Sequence, residues 1–212
     1  MRHEIEQNTK EWLKSRLGRI TGSAFSPLLV TPKKGKIFGD GAITYIAEKV
    51  TEILTGDIKE EAISKACNWG HFHEAEAVEV YEEDQWIKVS DGGFYTAGDY
   101  IGCSPDGIIE DGIIEVKCPY NSVNHYKTIS SGEVPSQYMP QVVFNMWVTG
   151  AKHCDFISYD HRFINPKHRL FVKRVILSEH EEYLMKIIHS VALAINEIRD
   201  VLKLMEKNNA DN

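Results

Sequence analysis

The chain has 212 residues, 42% of them hydrophobic and 26% charged, enough for one globular domain with a sizeable core and unlike a disordered or fibrous chain. Its formal net charge of −7 excludes a protein that coats nucleic acid by bulk electrostatics; an enzyme whose acidic residues hold a metal, with nucleic acid confined to one surface, remains open. Cys67, Cys103, Cys118 and Cys154 stand singly, giving neither a zinc ribbon nor a secreted disulfide framework, and the polar start with no long apolar run predicts a cytoplasmic protein without signal peptide or membrane span.

In chain order, Asn8-Thr9-Lys10-Glu11 has the form of a capping box, so a short helix is expected to start there, carry Trp12 and Leu13 inward and end near Gly18. The segment Arg16 to Ser23, R-L-G-R-I-T-G-S, gathers arginines, glycines and hydroxyls around a second helix start expected at Thr21 or Ser23. That composition suits a phosphate, although a plain turn capped by Thr21 would look the same. A basic loop, Thr31 to Lys36, precedes a helix with Ile43, Ile46, Ala47, Val50, Ile53 and Leu54 at helical spacing, closed by Gly56. Asp57 to Ser64 reads as a charged connector. A further helix is predicted from Asn68 to Glu83 with Phe72, Ala75, Val78 and Tyr81 on one face. Its Glu74 and Glu76 each read first as solvated surface acids, as most helical glutamates are, and His71 and His73, two residues apart, share no face for a zinc pair.

Strands are expected at Trp86 to Val89 and Gly93 to Ala97, then a hairpin within Ile101 to Tyr120. In it, Ile108-Ile109 and Ile113-Ile114 flank the turn Glu110-Asp111-Gly112, and Asp106, Glu115 and Lys117 are the ionisable residues of interest. Alternation puts Glu115 and Lys117 on one side and Val116 on the other, with Asp106 brought near by the facing strand. Charges among isoleucines are costly unless paired or coordinated. A hard divalent cation held by Asp106, Glu115 and the Val116 carbonyl, with Lys117 holding or deprotonating a water, would explain them and implies phosphodiester hydrolysis. A surface hairpin with an exposed ion pair is the plainer alternative. Beyond it, a short helix is expected over Asn121 to Ser131, a helix from Pro135 to Gly150 with Pro140 awkwardly inside, strands at Cys154 to Tyr159 and Leu170 to Leu177, a long amphipathic helix from Ser178 to about Lys207, and a polar tail over 207–212. The order predicts a single α/β or α+β domain, 1–212, with a central mixed sheet flanked by helices.

Four stretches in order, W-L-K-S-R-L-G-R-I-T-G-S, W-G-H-F-H-E-A-E-A, C-S-P-D-G followed by I-E-V-K-C-P, and Y-M-P-Q-V-V-F-N-M-W-V-T, resemble the lambda exonuclease group (YqaJ-type viral recombinases) of the PD-(D/E)xK nucleases. The resemblance implies a restriction-endonuclease-like core and a phage- or prophage-encoded, Mg²⁺-dependent processive 5′-to-3′ exonuclease on linear double-stranded DNA, with Mn²⁺ as substitute. It implies release of 5′-mononucleotides, assembly as a homotrimeric ring, and a single-strand annealing protein as partner for the 3′ overhang. By position it makes Asp106 and Glu115 metal ligands with the Val116 carbonyl and Lys117 the catalytic lysine. Glu74 becomes a further acid, acting directly or through water, and Gln141 the glutamine near the centre. Arg16, Thr21, Ser23 and Ser104 become the pocket for the 5′-phosphate. Other readings are an endonuclease or Cas4-like nuclease of the same superfamily, the latter needing clustered cysteines that this chain lacks, or a non-catalytic DNA-binding module.

Overall fold

The computed structural model describes residues 1–58 and 65–210, so most of the expected connector at 57–64 and the last two residues of the tail lie outside the described residues. Among the described residues the strands form two four-stranded mixed sheets in place of the one expected. The first contains β1 (Arg2–His3), β2 (Ile20–Thr21), β3 (Phe94–Thr96) and β4 (Ile101–Cys103) in the order β1-β3-β4-β2, with β2 parallel to β4. The second runs β5 (Gly107–Ile109), β6 (Gly112–Lys117), β7 (His153–Tyr159) and β8 (Leu170–Ile176), antiparallel except for the parallel β6–β7 pair. The helices are α1 (Lys10–Arg16), α2 (Asp40–Thr55), α3 (Lys65–Gln85), α4 (Ser122–Ser131), α5 (Met139–Thr149) and α6 (Glu181–Ala210). Because a parallel pair needs a long crossover, α4 and α5 fill the connection from β6 to β7.

The second sheet is covered on both faces, and this explains why β6 reads as Ile-Ile-Glu-Val-Lys and not as alternating apolar and polar residues. Ile114 and Val116 pack with Ala77 and Tyr81 of α3. Ile113, on the opposite face, joins the main core with Val142, Val143, Phe144 and Met146 of α5 and Ile187, Val191, Ala194 and Ile198 of α6. The consecutive buried run in α5 marks a helix surrounded on all sides. α5 begins at Met139 and not at Pro135, so Pro140 falls in its first turn, where its missing N–H costs nothing.

Several expectations from the sequence change. No helix starts at Thr21 or Ser23: Ile20 and Thr21 join the parallel ladder opposite Ile101 and Gly102, and only a 3₁₀ turn, Ser26–Leu29, follows. Trp86 to Val89 is not a strand, since Trp86 takes φ 56° and lies exposed. Leu13 and Phe72 are exposed, and α3 buries His73, Ala77 and Tyr81. α6 continues to Ala210, through most of the expected tail.

Candidate active site

The β5–β6 hairpin turns over Glu110-Asp111, with Asp111 itself at φ 56°. Below the turn, the Asp106 N–H donates to the Ile114 carbonyl at 3.2 Å, and the Val116 N–H donates to Asp106 Oδ2 at 2.6 Å. Asp106 is thereby fixed beside the two residues that alternate with Val116. Glu115 is fully buried, and both of its oxygens are held: Oε1 pairs with the Lys117 ammonium and Oε2 accepts from Asn145 Nδ2 at 3.1 Å. The Lys117 ammonium also lies 5.4 Å from the centre of the Tyr138 ring.

From α3, Glu74 enters the same field. Its carboxyl is pushed up to about 8, first by burial and then by Asp106, with Lys117 opposing. Burial raises Glu115 to about 7 against the pull of Lys117, and burial raises Asp106 too. Burial alone would lower Lys117, but Glu115 and Asp106 outweigh it and raise it, so it stays an ammonium. Three carboxylates around one ammonium, desolvated together, would carry a net charge of about −2 when fully ionised, a deficit that a hard divalent cation with oxygen ligands neutralises. The donor set therefore fits such an ion. Gln141 lies half-buried on α5 one turn before Asn145, on the same face but outside this hydrogen-bonded cluster.

The residues expected at a phosphate pocket also come together. Arg16 Nη2 donates to Thr21 Oγ1 at 3.3 Å and to Ser23 Oγ at 3.1 Å. Its guanidinium lies 4.3 Å over the Trp12 ring, whose Nε1 donates to Ser104 Oγ at 2.7 Å. Trp12 is thus the link between Arg16 and Ser104, a role its place in the first helix did not announce. The helix N-terminus expected to share this grip is absent, because Thr21 is held in β2 and its N–H donates to the Tyr45 hydroxyl at 3.3 Å.

The two groups are neighbours by two routes. Only Pro105 separates Ser104 from Asp106. The turn after Thr21 touches Asn145, since a Cβ on Gly22 would overlap Asn145 Oδ1. Asn145 was not singled out from sequence; its signal was a lone amide in an apolar helical run, four residues after Gln141.

The Ser104-Pro105-Asp106 step is held from behind. Gln7 Nε2 donates to the Pro105 carbonyl at 3.0 Å, and Gly92 passes so close that a Cβ there would overlap that same oxygen. Gly92→Ala is expected to cost about 1–3 kcal/mol, as overpacking does, and to lower activity by shifting Ser104 and Asp106 together. Thermal melting and nuclease assays of the variant check this.

The profile of the YqaJ-like viral recombinase domain matches residues 11–152. Among solved structures, an alkaline exonuclease (LHK-Exo) from Laribacter hongkongensis superposes with a TM-score of 0.83 at 28% identity, over 96% of this chain and 99% of that one. The same enzyme in complex with dAMP gives a TM-score of 0.82 at 28% identity. A phage related exonuclease from Haemophilus somnus 129PT shares the fold, with a TM-score of 0.68 at 16% identity over 88% of this chain and 96% of that one. No curated protein matches the sequence significantly.

Proposed function

The chain belongs to the YqaJ-like viral recombinase family, and from that membership we propose that it is a Mg²⁺-dependent exonuclease that degrades linear double-stranded DNA from 5′ to 3′, releasing 5′-mononucleotides. The observation that carries the reading is the contiguity of two unlike groups. A desolvated cluster of Asp106, Glu115, Glu74 and Lys117 adjoins an Arg16, Ser23 and Ser104 cluster suited to a terminal phosphate. An end-recognising nuclease needs both, one step apart along a strand; an endonuclease needs only the first.

Asp106, Glu115 and the Val116 carbonyl would hold the metal, with Glu74 reaching it directly or through water. Bound there, magnesium would polarise the scissile phosphate and acidify a water. Lys117, kept protonated by its carboxylate neighbours, orients the attacking water and offsets charge growing on the phosphate oxygens. The proton leaves to a carboxylate, and Glu74, whose affinity for a proton is raised by burial and by Asp106, is the acceptor. The water oxygen bonds to phosphorus as the P–O3′ bond breaks, and the 3′ oxygen leaves on the released mononucleotide and takes a proton from solvent. Arg16 with Ser23 and Ser104 then takes the newly exposed 5′-phosphate of the shortened strand. Asn145 holds Glu115 in place, and Gln141 stands one turn away on the approach to the centre.

No helix among the described residues is long and apolar enough to cross a membrane. We place the protein in the cytoplasm of a host cell as a phage or prophage product. It would work as a homotrimeric ring that hands the 3′ overhang to a single-strand annealing protein. A mass in sedimentation near that of a trimer is expected, and a monomer at every concentration would remove the basis for processivity.

The carboxyl shifts make a testable statement about pH. Glu115 and Glu74 sit at about 7 and about 8, above the ordinary 4.5, so the stability they lend the metal-free protein is complete below 4.5 and lost as pH rises through 7 to 8. Metal binding needs the deprotonated ligands. The metal-free protein should therefore melt lower at pH 9 than at pH 6, and Mg²⁺ or Mn²⁺ should raise melting more at pH 9. An equal metal increment at both pH values would contradict this ligand set.

A further inference from the structure

Next to Glu74 on α3, but turned to a different group, is His73. Its Nδ1 lies 3.2 Å from Glu76 Oε2, one helical turn on. His161, just beyond β7, sets its ring against that of His73, with centroids 4.4 Å apart and the planes tilted by 31°. One ligand atom from each of His73, Glu76 and His161 lies within 4.8 Å of the others. None of the three belongs to the carboxylate–lysine centre or the phosphate pocket.

We propose that His73, Glu76 and His161 form a second metal site, taking a divalent transition ion of the zinc class, which ties α3 to the turn after β7. Two imidazole nitrogens and one carboxylate oxygen are a ligand set for such an ion, whereas magnesium prefers all-oxygen surroundings. Metal–ligand bonds of about 2.0–2.1 Å in a tetrahedron put neighbouring ligand atoms roughly 3.3–3.4 Å apart, and the His73–Glu76 pair is already at 3.2 Å. His161 lies in a turn outside regular structure, and side-chain rotation brings its nitrogen in.

The surroundings are those of a supported ligand set. The Tyr159 hydroxyl donates to Glu76 Oε1 at 2.8 Å, leaving Oε2 for the ion. That bond, more than the nearby histidines, holds the Glu76 carboxyl below its usual range. Trp69 packs against both imidazoles, with centroids 4.2 Å from His73 and 5.7 Å from His161. Arg162, anchored to Asp160 through Nε at 2.7 Å, covers Trp69 at 4.5 Å. A simple His73–Glu76 ion pair accounts for two of the residues, and Trp69 accounts for the packing of the His161 ring, but neither uses a His161 nitrogen. An ion shared by two neutral imidazoles uses all three.

The test uses the full chain with saturating Mg²⁺, so that the carboxylate centre is occupied and the added ion reports elsewhere. Co²⁺ titration should produce the visible absorption of a low-coordinate, nitrogen-ligated ion at an equimolar endpoint, displaced by Zn²⁺, and Zn²⁺ should raise the melting temperature. His161→Ala and Glu76→Gln should abolish the absorption and the melting increment while melting close to the parent in EDTA. Tyr159→Phe, which removes only the outer hydrogen bond, should weaken Zn²⁺ roughly tenfold or more. Absence of the absorption in the wild type, or its persistence in both Glu76→Gln and His161→Ala, overturns the site.

Discussion

Lys117→Ala is expected to lower cleavage roughly 10²- to 10⁴-fold while DNA binding stays within a few fold, because it removes a group whose work is done in the transition state. Lys117 lies beside fully buried Glu115 and is itself only partly open to solvent. Taking away the ammonium leaves Glu115 with Asn145 as its remaining partner. Glu115 then answers by holding its proton more tightly, so the variant should fold at neutral pH but bind metal less well as pH falls. Lys117→Met, which keeps most of the stem against Tyr138, should be as inactive as the alanine variant. Single-turnover rates beside equilibrium DNA binding separate the two effects. Near-wild-type turnover in either variant would mean that the β5–β6 hairpin is not the catalytic element.

Arg16→Ala should slow digestion of 5′-phosphorylated duplex about ten- to a hundred-fold and digestion of 5′-hydroxyl duplex little. A lost charge-assisted contact is worth about 1.5–3 kcal/mol, and it is lost only where the phosphate is present. The guanidinium is held in place by the Trp12 ring and by the Thr21 and Ser23 hydroxyls, so its plane is set before a strand end arrives. Arg16→Lys restores a charge without the planar fork and should recover only part of the difference. Initial rates of all three proteins on both ends, with melting curves to exclude a folding defect, provide the check. An equal fall on the two ends would make Arg16 a general backbone contact.

The β5–β6 hairpin was legible because strand alternation is rigid: Ile113, Glu115 and Lys117 share a face whatever else packs around them, and the turn signal fixed the partner strand. The Arg16 to Ser23 segment was legible from its local composition, whereas Ser104 joined it only through family resemblance, since nothing local links the two; Trp12 makes that connection in three dimensions. Short segments read worst. Thr21 looked like a helix cap, but the ladder to β4 captured it, and Trp86 looked like a strand residue but takes a left-handed backbone. The face of α3 was read in part, with Tyr81 buried and Val78 packed beside it as expected but Phe72 and Ala75 exposed. Phe72 suggested an apolar stripe, whereas Tyr81 and Ala77 meet the sheet and His73 lies one turn before Ala77. Asn145 escaped because its partner, Glu115, lies 30 positions away in sequence, and only the packing of α5 on β6 brings them into contact.

Hydrolysis at Asp106, Glu115 and Lys117 is expected to begin from a strand end held by the Arg16 pocket. It is tested most directly by incubating wild-type protein and Mg²⁺ with linear 5′-phosphorylated duplex, the same duplex ending in 5′-hydroxyls, and covalently closed circular duplex. The expected result is 5′-mononucleotides from the phosphorylated duplex, slower release from the hydroxyl-ended one, and an intact circle. Nicking or linearisation of the circle at a rate comparable to digestion of the linear duplex would contradict it.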